Sequence, residues 1–147
     1  MYARVLWATD ASAIADGALA EALELLEPGG TLIAFHVDER FAGARIGGTP
    51  VAADEPDRRA LLAEQVRELE ERGIDAQLVI ETTHRSAASE IAKAAERFDA
   101  DAIFCGTRGL GTVAGTVAGS VALRLPHLAT CPVVVVSERA RRRALHG

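Results

Sequence analysis

Residues 102–137 read AIFCGTRGLGTVAGTVAGSVALRLPHLATCPVVVVS. The stretch begins with the short apolar run Ala102–Cys105, which predicts a buried strand. That run stops at Gly106, and glycine recurs along the chain from there to Gly119. The sequence therefore predicts a strand whose carboxyl end opens into a glycine-rich loop.

The residues after this loop change to helical periodicity. Ser120 is a suitable N-cap or first-turn residue. Three apolar side chains then recur with the spacing of one helix face: Val121, Leu125 and Leu128. Pro132 ends the helical segment because it forces the residue before it toward an extended conformation. The apolar run Val133–Val136 predicts a second buried strand.

A glycine-rich loop between a strand and a helix can bind phosphate groups. Without Cβ atoms, the backbone can come within hydrogen-bonding distance of a polyanion. The N–H groups at the start of the helix point at that anion, with the positive end of the helix dipole behind them. Glycine-rich loops also serve as plain connections, so composition alone leaves both interpretations open.

The composition of the 147-residue chain indicates one α/β domain. Hydrophobic residues make up 49% of the chain and aromatic residues only 4%, so the core must consist mainly of Ala, Val, Leu and Ile. Such a core suits a parallel sheet covered by helices with small residues. The net charge of −5 argues against a nucleic-acid partner, which would require clustered positive charge.

Several features favour a cytoplasmic protein. The two cysteines, Cys105 and Cys131, lack metal-ligand spacing and are interpreted as reduced thiols. The N-terminus enters a strand directly, which leaves no room for a signal peptide. No run approaches the roughly 18 apolar residues of a membrane-spanning helix, so no membrane partner is expected.

Strands and helices alternate along the chain, which predicts right-handed crossovers and a parallel sheet of five strands with four helices. The predicted strands are Tyr2–Ala8, Thr31–Val37, the alternating segment 74–80, Ala102–Cys105 and Val133–Val136. The first predicted helix has Ile14 to Leu26 on its apolar face, and the second extends from Pro56 to Arg72. The third follows Ser86 and has Ile91 to Phe98 on its apolar face, and the fourth begins at Ser120 and ends by Ala129. Residues 28–30 are expected to end the first helix, and Gly73 to cap the second. Residues 38–54 show no periodicity and predict a long loop.

Two polar residues lie near the ends of the first two predicted strands. Asp10 follows the first strand, at the edge where ligands bind in open parallel sheets, although a purely structural role in the turn is equally open. His36 is interpreted as a buried structural residue. The only lysine, Lys93, lies outside the glycine loop, which excludes a Walker motif. Residues 109–114 fit a dinucleotide fingerprint, but too little chain follows them for that fold.

The spacing of Gly106, Gly109, Gly119 and Ser120 is Gly-x2-Gly-x9-Gly-[Ser/Thr]. This is the motif of the ATP-binding branch of the universal stress protein family, and the chain resembles that family up to about Glu138. Three further segments carry the resemblance: Val5–Ser12, Phe35–Val37 and Cys131–Val136.

The resemblance implies a single-domain, doubly wound α/β fold. Its five parallel strands would have the order 3-2-1-4-5, with helices on both faces. The nucleotide-binding domain would span residues 1–138, followed by a flexible basic tail at residues 139–147. Family members pair their last strand with the same strand of a second chain. A homodimer is therefore expected through Val133, Val134, Val135 and Val136.

The resemblance also implies where ATP would bind. Three residues would lie beside the adenine and ribose, namely Ala8, Thr9 and Asp10, and Val37 would offer its backbone to the adenine. The ribose and phosphates would lie against the start of the loop at Cys105, Gly106, Arg108 and Gly109. The β- and γ-phosphates would receive N–H groups from Gly119, Ser120 and Val121. Mg²⁺ would be held mainly through the phosphates, with no metal ligands from the protein.

Two features depart from the family pattern. The spacer at residues 110–118 is uncharged, and Arg85 stands where the family often has glycine, so that it could clamp phosphate or occupy the pocket. The expected function is that of an ATP-binding regulator of the stress response, a homodimeric nucleotide sensor with at most slow hydrolysis or phosphoryl transfer. A dimer that acts through protein partners without nucleotide and a nucleotide-using transferase are the alternatives.

Overall fold

A computed structural model describes residues 1–40, 55–107, 120–137 and 139. The strands are β1 (Tyr2–Ala8), β2 (Leu26–Glu39), β3 (Asp75–Thr83), β4 (Ala102–Gly106) and β5 (Val133–Val136). The helices are α1 (Ala13–Leu25), α2 (Glu55–Glu71), α3 (Ala87–Arg97) and α4 (Ser120–Leu128). Most of the predicted long loop, most of the glycine-rich loop and the basic tail beyond Arg139 lie outside the described residues.

The five strands form one sheet in the order β3-β2-β1-β4-β5, and all four pairings are parallel. β1 lies at the centre, where Leu6 is opposite Ile33 of β2 on one side and Ile103 of β4 on the other. The predicted fold class and strand order are therefore confirmed.

The side chains of β1 alternate between the two faces of the sheet, and each face carries its own core. Val5 and Trp7 belong to the first core, which α1 and α2 cover. Leu6 and Ala8 belong to the second core, against which α3 and α4 pack. Alanine dominates the buried residues of α1 and α3, whereas α2 buries Leu62, Val66 and Leu69. This arrangement confirms that helices cover both faces.

The start of β2 differs from the sequence-based prediction. α1 ends at Leu25, and Leu26 is already extended, so residues 28–30 lie within β2 and do not end the helix. Gly29 has a φ of +80°, and the pairing with β1 is irregular until Arg4 comes opposite Thr31. The predicted start at Thr31 therefore marks where continuous pairing begins.

The carboxyl end of β2 also extends beyond the prediction. Pairing with β3 continues through Asp38 and Glu39, which lie opposite Thr82 and Thr83. Hydrogen bonds to a neighbouring strand decide where a strand ends, and the polar character of these two residues hid the continuation. Among the described residues, no helix combines the length and apolar composition needed to cross a membrane.

Gly73 closes α2 in the left-handed conformation, with a φ of +85°, as the sequence predicts. A Cβ atom at this position would have no atom within 4 Å. We expect Gly73→Ala to lower the free energy of unfolding by about 1 kcal/mol, because only the backbone conformation penalises the new side chain. Chemical denaturation measures this change.

Gly73→Asn is the matched control, because asparagine tolerates the left-handed region better than alanine. It should cost less than Gly73→Ala although its side chain is larger. Equal or greater destabilisation by Gly73→Asn would contradict the conformational explanation.

Candidate functional site

β1 and β4 are neighbours in the sheet, and the space between their carboxyl ends is called the crevice here. The N–H of Thr9 donates to the carbonyl of Phe35 at 3.0 Å, which continues the pairing of β1 with β2 one residue past Ala8. The N–H of Thr107 donates to the carbonyl of Val136 at 3.0 Å, which continues the pairing of β4 with β5 one residue past Gly106. The following helices, α1 and α4, lie on opposite faces of the sheet. Ligands of open parallel sheets bind at such a topological switch point.

The turn after β1 is held by its own side chains. Thr9 is buried, and its Oγ1 accepts a hydrogen bond from the N–H of Ala11 at 3.0 Å. Asp10 accepts one at Oδ1 from the N–H of Ser12, also at 3.0 Å. Ser12 in turn caps α1 by accepting from the N–H of Ala15 at 3.2 Å. The turn therefore places the Asp10 carboxylate at the crevice in a defined orientation.

Ala11 adopts a left-handed conformation inside this turn, with a φ of 67°. That region is unfavourable for an L-residue with a Cβ atom, and such strain is retained only where the surroundings hold it. Thr9 accepts a hydrogen bond from the N–H of Ala11 itself, and Asp10 accepts one from the N–H of the next residue, Ser12.

Val37 lies in the part of β2 that extends beyond the end of β1, where it pairs with Glu81 of β3. Alternate residues of a strand point their N–H and C=O groups to the same side. Since the carbonyl of Phe35 faces β1, the backbone groups of Val37 face the same side, past the last paired residue, Ala8. This position can offer a main-chain donor and acceptor to a planar base.

Gly106 has a packing role that the sequence did not reveal. A Cβ atom added there would overlap Cγ2 of Ile14 and lie 3.3 Å from the carbonyl carbon of the same residue. The end of β4 therefore contacts the first turn of α1 directly. Gly106 brings α1 and β4 together at the crevice, whether or not it also contacts a ligand.

Two other predicted site residues have buried side chains. Cys105 and Ala8 both pack in the second core. Burial raises the pKa of the Cys105 thiol to about 11, so the group is a neutral thiol at physiological pH. Any contact that these residues make with a ligand must come from their backbone.

The remaining predicted residues lie on the other side of the crevice. Ser120 is the first residue of α4, and Val121 is partly buried against the second core. Three predicted residues lie outside the described part of the chain: Arg108, Gly109 and Gly119. The side chain of Arg85 is exposed, and its backbone N–H donates to Thr83 Oγ1 at 2.9 Å.

A buried charge network lies beside the crevice, and the sequence analysis missed it. Nδ1 of His36 is 2.9 Å from the carbonyl oxygen of Thr9, and Nε2 is 2.6 Å from Oε1 of Glu55. Arg59 donates to Oε2 of Glu55 at 2.8 Å and to Asp38 at 3.3 Å. His36 is buried, as predicted, but its partner on α2 follows a segment without periodicity and left no local signal.

Glu39 is a second acidic residue that the sequence analysis did not single out. It lies at the end of β2, where the N–H of Ala87 at the start of α3 donates to its carboxylate. Burial raises the pKa of Glu39, and that hydrogen bond and the nearby charge of Arg124 offset the effect only in part. The signal available in the sequence was an acidic residue close to the carboxyl end of a strand.

Within the described ranges, no group of three His, Cys, Asp or Glu side chains is arranged to hold a metal ion. The polar groups at the crevice are instead backbone amides, hydroxyls and the Asp10 carboxylate. Such groups can bind a base and a sugar by hydrogen bonds.

Comparison with known proteins relates this chain to one protein family. The model of the universal stress protein family matches residues 1–137. A search of curated proteins gave no match. The hypothetical protein MJ0577 is 26% identical, with a TM-score of 0.71, over 94% of this chain and 97% of that chain.

Two further solved structures are similar. A universal stress protein family member from Burkholderia pseudomallei is 28% identical, with a TM-score of 0.68, over 92% of this chain and 96% of that chain. The universal stress protein from Archaeoglobus fulgidus, solved in complex with dAMP, is 23% identical, with a TM-score of 0.62, over 92% of this chain and 98% of that chain.

The contact between Gly106 and Ile14 can be tested by mutation. Gly106→Ala should lower the free energy of unfolding by about 1–3 kcal/mol, because overpacking displaces the first turn of α1. The same change in an Ile14→Ala background should cost at least about 1 kcal/mol less, because the overlapping methyl group is gone. Chemical denaturation of the four proteins in this cycle gives both values. Additive losses would show that the two residues do not constrain each other.

Proposed function

Because the chain belongs to the universal stress protein family, we propose that it binds ATP and acts as a homodimeric nucleotide sensor in the stress response. The single observation that carries the proposal is the crevice between β1 and β4. The helices that follow these two strands, α1 and α4, lie on opposite faces of the sheet. The glycine motif begins at the end of β4, at Gly106, and ends where α4 starts.

The residues at the crevice fit the base and sugar of an adenine nucleotide. Val37 offers backbone groups past the end of β1, and the Asp10 carboxylate can accept hydrogen bonds from ribose hydroxyls. Ala8 and Thr9 are both buried, and they would form the floor of the nucleotide site. The Archaeoglobus fulgidus relative in complex with dAMP supports an adenine nucleotide as the ligand class.

The phosphates would be bound by the glycine-rich loop and the start of α4. Gly109, Gly119, Ser120 and Val121 are the positions that the motif assigns to this role, with Cys105 and Gly106 at its beginning and Arg108 as a source of positive charge. The helix dipole of α4 favours a negative group at Ser120. Mg²⁺ would be coordinated mainly by phosphate oxygens and water, its usual ligands in nucleotide sites.

Binding without rapid turnover is the activity that this residue set supports. Hydrolysis of ATP requires a positioned water and charge stabilisation at the γ-phosphate. The carboxylate at the crevice, Asp10, already accepts a hydrogen bond from the N–H of Ser12 and would face the ribose. We therefore propose a regulator that binds ATP and hydrolyses it slowly at most. In this proposal the protein is cytoplasmic, and residues 1–138 form the nucleotide-binding domain.

The proposed dimer forms through β5, one of the two edge strands of the sheet. An unpaired strand edge readily pairs with another chain. Val134 and Val136 face the first core, whereas Val135 is 38% exposed. Two more exposed apolar side chains lie on the neighbouring helix α4: Leu123 and Leu128. An apolar surface of this kind is typical of an interface between protein chains.

ATP binding is tested by isothermal titration calorimetry of the purified chain. We expect one ATP per chain with a Kd below about 1 mM, and we expect adenine nucleotide in extracts of the protein as purified. Absence of both bound nucleotide and heat at millimolar ATP would overturn the proposal in favour of a dimer that acts through protein partners. Turnover above about 1 per second with an acceptor would indicate a transferase.

Gly119→Val should weaken ATP binding at least about 100-fold, because a branched side chain fills the space that the phosphates need. Gly115→Val is the matched control, since it makes the same change inside the spacer, where the motif requires no glycine. Both variants should keep the circular dichroism spectrum of the parent. Parental affinity in Gly119→Val would show that the triphosphate lies elsewhere.

Val135→Lys should convert the dimer to monomers in light scattering, because it places a charge at the proposed interface without disturbing the core. Val135→Thr, which keeps a β-branched side chain of similar size, should remain dimeric. A dimer mass in Val135→Lys would locate the interface on another surface, and a monomeric parent would overturn the dimer.

A further inference from the structure

His36 links the turn after β1 to the start of α2. We propose that His36 is a positioning residue for the nucleotide site: its Nδ1–H fixes the carbonyl of Thr9, and its Nε2–H ties that turn to Glu55. The inference rests on the proposed binding of an adenine nucleotide at Asp10. In this inference, the histidine contributes to the affinity for the nucleotide in addition to its packing within β2.

The two partners of the ring are both hydrogen-bond acceptors. A peptide carbonyl has no proton to donate, so Nδ1, 2.9 Å from the oxygen of Thr9, carries one. Glu55 is 2.6 Å from Nε2 and also accepts from Arg59, so a carboxylate faces Nε2. A neutral ring could donate to only one of these oxygens. Donation to both oxygens at once therefore takes a proton on each ring nitrogen.

The acidic partner of the ring, Glu55, is itself held by neighbouring charges. Burial would raise the pKa of Glu55, but hydrogen bonds from Arg59 and His36 outweigh it and hold that pKa below the usual value. Arg59 also donates to Asp38 at 3.3 Å, and Arg40 donates to the same carboxylate at 3.0 Å. Basic and acidic side chains therefore alternate along one chain of contacts, in the order His36, Glu55, Arg59, Asp38 and Arg40. A buried network is stable only when every member is paired.

Fixing the carbonyl of Thr9 fixes the orientation of the next peptide and hence the position of Asp10. The N–H of Thr9 is already bound to Phe35, and its hydroxyl accepts from Ala11. The bond from His36 holds the remaining polar group of this residue. Because Ala11 is in a left-handed conformation, the turn depends on such external restraints. Without the bond from His36, the Asp10 carboxylate would sample orientations that do not bind the ribose.

Two substitutions of equal charge separate the two halves of this bridge. In His36→Asn the amide nitrogen stands near the position of Nδ1 and can still donate to Thr9. In His36→Gln it stands near the position of Nε2 and can still donate to Glu55, but the bond to Thr9 is lost. Both variants lose the ring and its positive charge, so a purely structural role predicts similar effects on ATP binding.

Calorimetric titration with ATP and thermal unfolding are measured on the parent and on both variants. We expect His36→Gln to bind ATP about 5- to 10-fold more weakly, the size of one lost hydrogen bond, and His36→Asn to stay within about 2-fold of the parent. We expect His36→Asn to be less stable than His36→Gln, because it has lost the tie to α2. Affinity and stability then change in opposite order, which loss of packing alone cannot produce.

A measurement on the parent protein decides the matter if a variant does not fold. In a spectrum of the ¹⁵N-labelled histidine rings, His36 should show the pattern of an imidazolium, and saturating ATP should shift its Nδ1 signal more than its Nε2 signal. A neutral ring, or ring signals that ATP leaves unchanged, would overturn the inference.

The outcomes distinguish this inference from the function on which it rests. If the parent binds ATP and the two variants bind it equally well or equally poorly, His36 has no positioning role and the proposed function stands. If the parent binds no ATP, the proposed function is overturned and the positioning role is overturned with it.

Discussion

The structure depends on one constraint, which is that β1 and β4 are neighbours in the sheet while the chain leaves them toward opposite faces. Two parallel strands that share a register must separate where their connections diverge. α1, which follows β1, packs in the first core, and α4, which follows β4, packs in the second core on the other face. The crevice is therefore a consequence of topology and needs no specialised side chain to open it.

The side chains at the crevice then determine how rigid it is. Thr9 and Asp10 hold the turn after β1 through bonds to the backbone, and Gly106 lets the end of β4 approach α1 closely. His36 connects this region to α2 through a buried pair with Glu55. These contacts hold the turn after β1 in one conformation, so this turn would not have to be ordered if a ligand bound there.

The same residues can have a structural role and a role in binding. Asp10 orders a turn, and Gly106 avoids a clash with Ile14, so neither residue needs a ligand to explain its identity. The family relationship and the crevice together give the reason to propose a nucleotide there. A glycine in a motif of this kind therefore has to be judged by its neighbours as well as by its spacing.

The sequence by itself determined the alternation of strands and helices, the limits of β1, β4 and β5 to within a residue, and the candidate residues at the strand ends, because these follow from periodicity and local breakers. It did not determine that β2 continues through Glu39, since only pairing with β3 decides where that strand ends. The contact of Gly106 with Ile14 and the bridge from Thr9 through His36 to Glu55 were decided by the tertiary structure alone. These residues meet through packing across the sheet, and neither the spacing nor the composition of the chain records which distant residues the fold brings into contact.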